Sequence, residues 1–557
     1  MSCKSYLKIS IFEKVKNSKI LYRYMQKMLL LGDEAIALGA IDAGLSGVYA
    51  YPGTPSTEIT EYIESSKIAK EKGVKARWCA NEKTAMEAAI GMSYAGKRTM
   101  VCMKHVGLNV AADGFINSSI TGANGGLIVV VADDPSMHSS QNEQDSRFYG
   151  KFAMIPIFEP SSQQEAYNMV HYGFDISEKY RMPVMIRITT RLAHSRAGVG
   201  RMAEKEQNTL KLPTDLKQFV LLPSIARKNF RRLLDLQTVI ENDAETSGFN
   251  KYIEGKDKSK GIIACGIAYN YIMENFQENL PFPMLVIGQH PVPTKMLRKL
   301  YDECQEIYVF EDGYPLVEEM LKGSLNLGKP IHGRLDGTLT RDGELNPNKV
   351  AVALGLKDTI GQPIPEVVAQ RPPALCSGCP HTDSYLALNE VLRDYSKGRV
   401  FSDIGCYTLA ALAPLEAINT CVDMGASITM AYGAADAGLV PAIAVIGDST
   451  FTHSGMTGLL DCVVHKSNVK VFILDNFTTG MTGGQPSAAL GKLEAICAGV
   501  GVDPAHIRVI KPLMKNHEEN MKIIREELAY DGPSVIIPRR ECIITLDKRM
   551  REKFKNK

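Results

Sequence analysis

The 557-residue sequence contains one tryptophan, and aromatic residues make up only 7% of it. It also lacks long apolar runs. Stretches such as Leu127 to Ala132 and Leu439 to Ile446 fall far short of the roughly 20 residues a membrane-spanning helix needs, so no transmembrane segment is expected. Charge of either sign is nearly balanced, with 64 lysines and arginines against 62 aspartates and glutamates, a net of +2. That balance removes the long-range positive field a general nucleic-acid or anionic-membrane binder needs. The 12 cysteines are scattered, without the dense spacing of a small disulfide-stapled domain. The amino terminus, MSCKSYLKISIFEKVKNSKILYRYMQKM, is basic, but charges interrupt it every few residues and no apolar core precedes a small-residue cleavage site. Residues 1–28 read as an appendage, and the chain as a protein of a reducing cytoplasm.

What is present is the composition of a large globular protein: 45% hydrophobic, 23% charged, and 46 glycines for tight loops. At about 150 residues per domain the length gives roughly three to four domains. Short apolar runs ending in glycine, proline or small polar residues alternate with helical stretches, as in GVYAYPGTPS, RTMVCMKH, GGLIVVVADDPS and MPVMIRITT. This is the pattern of a parallel sheet covered by helices. The fold class expected is α/β with three doubly wound units, at 29–201, 256–330 and 374–557. They are joined by a charged, helix-rich connector at 202–255 and a linker rich in proline, glycine and aspartate at 331–373. In open parallel sheets ligands collect at the carboxyl ends of the strands, so those loops are the candidate sites.

In the third unit the text VPAIAVIGDSTFTHSG…VKVFILDNFTTGMTGG reads as strand, turn, helix, strand and loop. Two adjacent strand ends would bring together a carboxylate, an amide oxygen and backbone carbonyls, hard oxygen ligands suited to Mg²⁺ with a diphosphate completing the octahedron. Aspartate or asparagine alone at a strand-ending turn is commonplace. The whole arrangement, with Asp448 and Asn476 28 residues apart, resembles the diphosphate-binding signature of thiamine diphosphate enzymes. Such chemistry also needs a glutamate at the aminopyrimidine ring. WCANEKTAMEAAIGMSYAG reads as a helix with Ala85, Met86, Ala89, Ile90 and Ser93 on one face and Glu82 in its first turn. Glu87 lies about 140° from Glu82 around that helix, so both cannot reach one ligand. A first-turn acid is also favoured simply by the helix dipole.

Cys376 and Cys379 in LCSGCPH, Cys406 in SDIGCYTL and Cys542 in RRECII form a further constellation. A single C-x-x-C element is ambiguous among zinc, redox disulfide and iron–sulfur. The other eight cysteines read as core or surface residues.

YPGTPSTEI (51–59), NEKTAMEAAIG (81–91), MKHVGLNVAADG (103–114), VVVADDPSMHSSQNEQDSRFY (129–149), CSGCPH (376–381) and GDSTFTHSG (447–455) resemble the α subunits of indolepyruvate ferredoxin oxidoreductases, over about Leu29 to Asp547. The resemblance implies a pyrimidine-binding unit, a transketolase carboxy-terminal-like unit and a diphosphate-binding unit. It implies thiamine diphosphate with Mg²⁺, oxidative decarboxylation of an aryl 2-oxoacid to an acyl-CoA, coenzyme A as co-substrate, and a [4Fe-4S] cluster on Cys376, Cys379, Cys406 and Cys542. Glu82 is then the cofactor-activating acid. Asp448, Asn476 and the main chain of Thr478 become Mg²⁺ contacts beside Gly447 and Ser449. Thr54 meets the substrate, and Lys104, His105, Asn109, His138 and His453 are pocket candidates. Implied partners are a smaller β subunit and ferredoxin or a ferredoxin-like acceptor, in a hetero-oligomer built on an α dimer.

The family's α subunits usually continue into a ferredoxin-like tail with eight cysteines. This sequence ends at ECIITLDKRMREKFKNK without a C-x-x-C-x-x-C run, so the expectation is either a separate ferredoxin-like subunit that carries electrons onward or an activity that is not oxidative. Two rival readings are a nonoxidative thiamine-dependent decarboxylase or carboligase, with the cysteines idle or holding zinc, and a noncatalytic assembly subunit. The basic cluster Arg187, Arg191, Arg196 and Arg201 reads as a solvated face. His171, His194, His290, His332, His465, His506 and His517 read as structural, and His381 as a helix cap.

Overall fold

The computed structural model describes residues 27–277, 279–325, 328–357, 363–369 and 373–555. Cys3 and nearly all of the 1–28 appendage lie outside the described residues. The chain divides into two compact bodies at Pro363 and Ile364.

The amino-terminal body holds two sheets. In the larger, seven strands run in the order 289–290, 157–158, 184–189, 127–133, 99–104, 47–50, 75–78, all parallel except for the first pair. Its central strand Leu127–Asp133 is buried at every position. Strands covered on both faces are uniformly apolar rather than alternating, which is why LIVVVA is a continuous run. Helix Gly32–Asp42 is itself almost wholly buried and packs against helix Gln163–Tyr180. The approach is close because position 39 is glycine; a Cβ there would stand 2.7 Å from the Tyr167 carbonyl oxygen.

The second sheet has the order 331–332, 306–310, 260–265, 284–287, 251–253, with the last strand an antiparallel edge. Strand Met284–Ile287 belongs to this sheet, yet two residues later Gln289–His290 extends the larger one. The sheets are thus tied by one short crossing, and residues of both share a hydrophobic core. The helix-rich stretch before it supplies helix Pro223–Thr246 and the edge strand Lys251–Ile253. Part of 331–373 also folds: it carries strand Ile331–His332 and helix Pro347–Ala353, and buries Leu339, Leu345 and Val350.

Arg187 corrects one expectation. It is fully buried on strand Val184–Thr189, where its Nε donates to Asp133 Oδ2 at 2.7 Å and its Nη1 to Glu159 Oε1 at 2.5 Å. Arg191, Arg196 and Arg201 pair with Glu344, Glu34 and Asp42. The four arginines therefore do not make one solvated face, because Arg187 lies on a strand buried at every position, against acids the linear pattern cannot show.

The carboxy-terminal body is one parallel five-stranded sheet in the order 400–402, 442–447, 469–474, 534–538, 507–510. Its two faces form two cores. Ile443, Val445, Phe472 and Leu474 pack with helices Pro380–Val391 and His517–Ala529. Ala442, Ala444, Ile446, Val471 and Ile473 pack with helices Ala426–Asp436 and Met456–Val464. Alternation with period two between two cores, along strands buried at every position, marks central, doubly covered strands.

Candidate functional site

In the carboxy-terminal body, strands Ala442–Gly447 and Val469–Leu474 are paired so that Gly447 is opposite Leu474. The chain leaves both at the same edge, which brings the Asp448-Ser449 turn beside Asp475-Asn476. Asp448 is 2% exposed; its Oδ1 accepts the Ser449 N–H at 2.9 Å, while its Oδ2 is buried without a hydrogen-bond partner. Burial, reinforced by the Asp475 carboxylate, pushes the Asp448 carboxyl up to about 7. An orphaned carboxylate oxygen in such surroundings is a poor resting arrangement unless a cation is supplied, and an oxygen donor of this kind suits Mg²⁺. Asp475 itself is tied down by the Arg539 guanidinium at 2.6 Å.

Asn476 is held on three sides. Its Nδ2 donates to His381 Nε2 at 3.2 Å, its Oδ1 accepts the Thr478 N–H at 3.2 Å, and its carbonyl accepts the Cys542 N–H at 3.2 Å. Phe477 takes a left-handed backbone, φ 68°, to turn the loop. Thr478–Thr479 then pairs with Gln485–Pro486, and Thr479 Oγ1 donates to Ser449 Oγ at 3.0 Å, locking the two loops together. His453 lies buried in the π-turn Phe451–Gly455, its Nδ1 2.6 Å from Ser454 Oγ.

Two cysteines of the constellation lie at the same loop, Cys406 against Gly480 and Cys542 with its N–H on the Asn476 carbonyl, and Cys376 and Cys379 are near enough to act on Cys406. The Cys406 thiol is pushed up to about 12, first by burial and then by Cys542, Cys379 and Cys376. Burial and the thiols of Cys376 and Cys542 likewise raise Cys379. A Cβ on Gly480 would stand 3.2 Å from Cys406 Sγ, so this thiol lies against the loop that begins at Asn476. Arg540 spans the arrangement, donating to Asp383 Oδ2 at 2.8 Å and to the Gly378 carbonyl at 3.1 Å. Converging thiols that raise one another's pKa favour a metal or cluster able to take them as thiolates.

In the amino-terminal body, Glu82 is the first residue of helix Glu82–Tyr94, which Asn81 caps through a 2.8 Å bond from the Thr84 N–H. It is 4% exposed, whereas Glu87 lies on the outer face with Lys83. Gly107 makes room for Glu82: a Cβ there would fall 2.5 Å from its Oε1. Lys104 ends strand Thr99–Lys104; burial lowers its ammonium, while Asp134 and Glu82 act to raise it. Its Nζ donates to the Ser139 carbonyl at 3.1 Å, and Ser139 Oγ donates to the Thr54 carbonyl at 3.4 Å. Lys104 and Thr54 are thereby linked through Ser139, and Glu82 is close enough to act on the Lys104 charge. His105 is buried, with Nε2 3.1 Å from the Asn142 carbonyl and Nδ1 unpartnered. Asn109 accepts from Tyr149 Oη at 2.7 Å, and His138 faces Glu344 at 3.3 Å on the surface.

Three residues escape the sequence reading. His381 is buried, and burial pulls its imidazole down to about 4; its side chain steadies Asn476. Asp403 accepts from Ser427 Oγ at 2.6 Å and from Tyr407 Oη, and Tyr407 lies against the Gly447 backbone. The only linear signal for the last two is their place within SDIGCYTL.

Two families match. Residues 38–227 match the one described as pyruvate flavodoxin/ferredoxin oxidoreductase, thiamine diP-binding. Residues 403–537 match thiamine pyrophosphate enzyme, C-terminal TPP binding domain. Indolepyruvate oxidoreductase subunit IorA of Archaeoglobus fulgidus is 39% identical over 559 residues, covering 95% of this chain and 89% of that protein. The subunit of the same name from Thermococcus kodakarensis is 37% identical over 579 residues, 95% of this chain and 88% of its own. Subunit KorA of the 2-oxoglutarate synthase of Methanothermobacter thermautotrophicus is 29% identical over 178 residues, 31% of this chain and 46% of that one.

Proposed function

The chain belongs to the family of indolepyruvate oxidoreductase subunits IorA, thiamine diphosphate-dependent 2-oxoacid:ferredoxin oxidoreductases, and we propose that it is the subunit carrying out oxidative decarboxylation of an aryl 2-oxoacid to an acyl-CoA. The observation that carries this reading is the buried, unpartnered Asp448 oxygen at the shared edge of two parallel strands, beside Asn476.

Asp448, the Asn476 side-chain oxygen and the Thr478 carbonyl hold Mg²⁺, with Gly447 and Ser449 forming the turn that receives the diphosphate. Bound thiamine diphosphate supplies the electron sink for loss of CO₂. Glu82, buried on its helix and given room by Gly107, holds and exchanges the proton at the aminopyrimidine ring. Lys104 sets a positive charge near Thr54 for the substrate carboxylate, with His105, Asn109 and His138 as further candidates in the amino-terminal body and His453 as a candidate in the carboxy-terminal one. Cys376, Cys379, Cys406 and Cys542 hold a [4Fe-4S] cluster that takes single electrons. A smaller β subunit completes the enzyme in a hetero-oligomer built on an α dimer. Coenzyme A accepts the acyl group, and ferredoxin or a ferredoxin-like protein accepts the electrons. Among the described residues no helix is long and apolar enough to cross a membrane.

The test is anaerobic reduction of a viologen dye by protein purified with its β subunit, across a panel of 2-oxoacids with coenzyme A. Dye reduction fastest with an aryl 2-oxoacid is expected. Release of CO₂ without dye reduction, from protein free of iron and acid-labile sulfide, would replace this reading with a nonoxidative decarboxylase.

A further inference from the structure

Away from the cofactor loops, three side chains that the proposed reaction does not use converge within the amino-terminal body. Asp33 is the second residue of the buried helix Gly32–Asp42, Glu58 the second of helix Thr57–Ser65, and His194 the last of helix Thr190–His194. One ligand atom from each lies within 4.8 Å of the other two, and His194 Nε2 is 3.6 Å from Glu58 Oε1. Nothing in the linear sequence joins them, and His194 is among the histidines that read as structural.

The second, independent observation is the state of the carboxylates. Asp33 is fully buried, and neither of its oxygens has a hydrogen-bond partner; Glu58 Oε2 is buried and unpartnered as well. Buried polar groups are almost always satisfied, and a buried charge is costly unless paired. The same body shows how it treats other buried acids: Asp133, Asp145 and Glu159 each face an arginine within hydrogen-bond distance. Asp33 instead faces further acids, since Glu58 and Glu34 add to burial in driving its carboxyl well upward, and the nearby Arg196 pairs with Glu34. The nearby imidazole of His194 pairs with Glu58 and leaves both Asp33 oxygens unpartnered.

We propose that Asp33, Glu58 and His194 form a binding site for one divalent transition-metal cation of the Zn²⁺ or Mn²⁺ type, separate from the Mg²⁺ site of the diphosphate. One imidazole nitrogen with two carboxylates is a donor set such cations accept. Bonds of about 2.0–2.1 Å in a tetrahedral arrangement place ligand atoms ~3.3 Å apart, close to the observed His194–Glu58 separation and within a small side-chain movement for Asp33. The cation has a way in, because the Glu58 and His194 side chains are 35% and 36% exposed while Asp33 forms the floor. Bound there, it staples three separate helices, one of which follows directly on the Gly53–Ser56 turn that carries Thr54. The competing account is a protonated Asp33 beside an ion pair of the His194 imidazolium with Glu58, with no metal.

The experiment uses the complete complex, purified anaerobically, stripped with chelator, resupplied with excess thiamine diphosphate and Mg²⁺, then given Zn²⁺ and desalted before metal analysis. Wild type is expected to retain about one more zinc per chain than Asp33→Asn or His194→Ala, with iron content equal in all three. Zinc should raise the Tm of wild type only. His194 is partly exposed, so its variant remains informative if Asp33→Asn does not fold. Equal zinc in wild type and His194→Ala, or no zinc in wild type, would overturn the site. Neither result bears on the oxidoreductase reading, which is judged by dye reduction.

Discussion

The amide nitrogen of Asn476 donates to Nε2 of His381 across 3.2 Å, joining the residue at the end of a central strand to the one that follows the C-x-x-C turn. Burial keeps this imidazole neutral at ordinary pH, so Nε2 accepts and the amide nitrogen must point toward it. The Asn476 oxygen is thereby turned to the side on which it accepts from Thr478, the side proposed to face Mg²⁺. Partners that orient a metal ligand typically contribute 10–100-fold to affinity. His381→Leu should weaken binding of thiamine diphosphate with Mg²⁺ by roughly that factor, read by calorimetric titration. An unchanged affinity would show that the bond does not position Asn476.

Gly107 stands against Glu82 as a spacer. Replacing it with alanine places a Cβ within 2.5–2.9 Å of the Glu82 carboxyl and its neighbouring carbons, and alanine is about 1 kcal/mol better than glycine inside a helix. Gly107→Ala should therefore keep or raise Tm while lowering kcat, because the carboxyl is displaced. Glu82→Gln should lower kcat by about 10²–10⁴-fold with cofactor binding retained. A Gly107→Ala enzyme of full activity would mean that the position of the carboxyl is not critical.

The parts legible in the sequence are those where local pattern and function coincide. The turn after Ile446, the second strand ending at Leu474 and the 28-residue spacing from Asp448 to Asn476 carry the geometry in the text itself, and Glu82 separates from Glu87 by helical periodicity alone. What stays hidden depends on residues far apart in sequence. A lone histidine such as His381 or His194 has no pattern, a helical glycine such as Gly107 has no turn to announce it, and Arg187 reads as surface until strand pairing turns it toward Asp133. The C-x-x-C pair is visible locally, whereas its nearness to Cys406, 27 residues beyond Cys379, is not.

The converging thiols give a direct test. Cys406→Ser should lower iron and acid-labile sulfide together and abolish dye reduction, while Cys462→Ser, a change in the apolar core of the same body, should leave both intact. Absorbance, electron paramagnetic resonance and chemical analysis of anaerobic protein read the outcome. Full iron content in Cys406→Ser would remove this residue from the cluster set.

Arg187 and Arg147 pair with Asp133, Asp145, Glu159 and Glu311 in the dry interior of the amino-terminal body. Removing one partner of a buried pair leaves the other charge uncompensated, at a cost of about 3–5 kcal/mol. Arg187→Met should lower Tm strongly, whereas Arg196→Met at the exposed Glu34 pair should change it little. Comparable losses in the two variants would mean that the interior pair is not the one stabilising this body.

Lys470 lies inside the central strand Val469–Leu474, fully buried, with Nζ donating to the carbonyls of Tyr530 and Gly532 at 2.5 and 2.7 Å. Burial holds its ammonium down, to about 8, with Glu527 and Asp531 opposing; the unfolded chain keeps the ordinary value near 10.4. Below pH 8 the lysine is charged in both states, and the folded protein bears the cost of burying the charge. Between about 8 and 10.4 the unfolded chain binds a proton that the folded one has released, so this residue's contribution to stability rises with pH. Relative to Lys470→Met, wild type should gain on the order of 3 kcal/mol across that window, measured as the difference in unfolding free energy from pH 7.5 to 10.5. Other groups titrate alike in both proteins and cancel in the difference. A gap that stays constant with pH would mean that Lys470 remains charged in the fold, held by its two carbonyls.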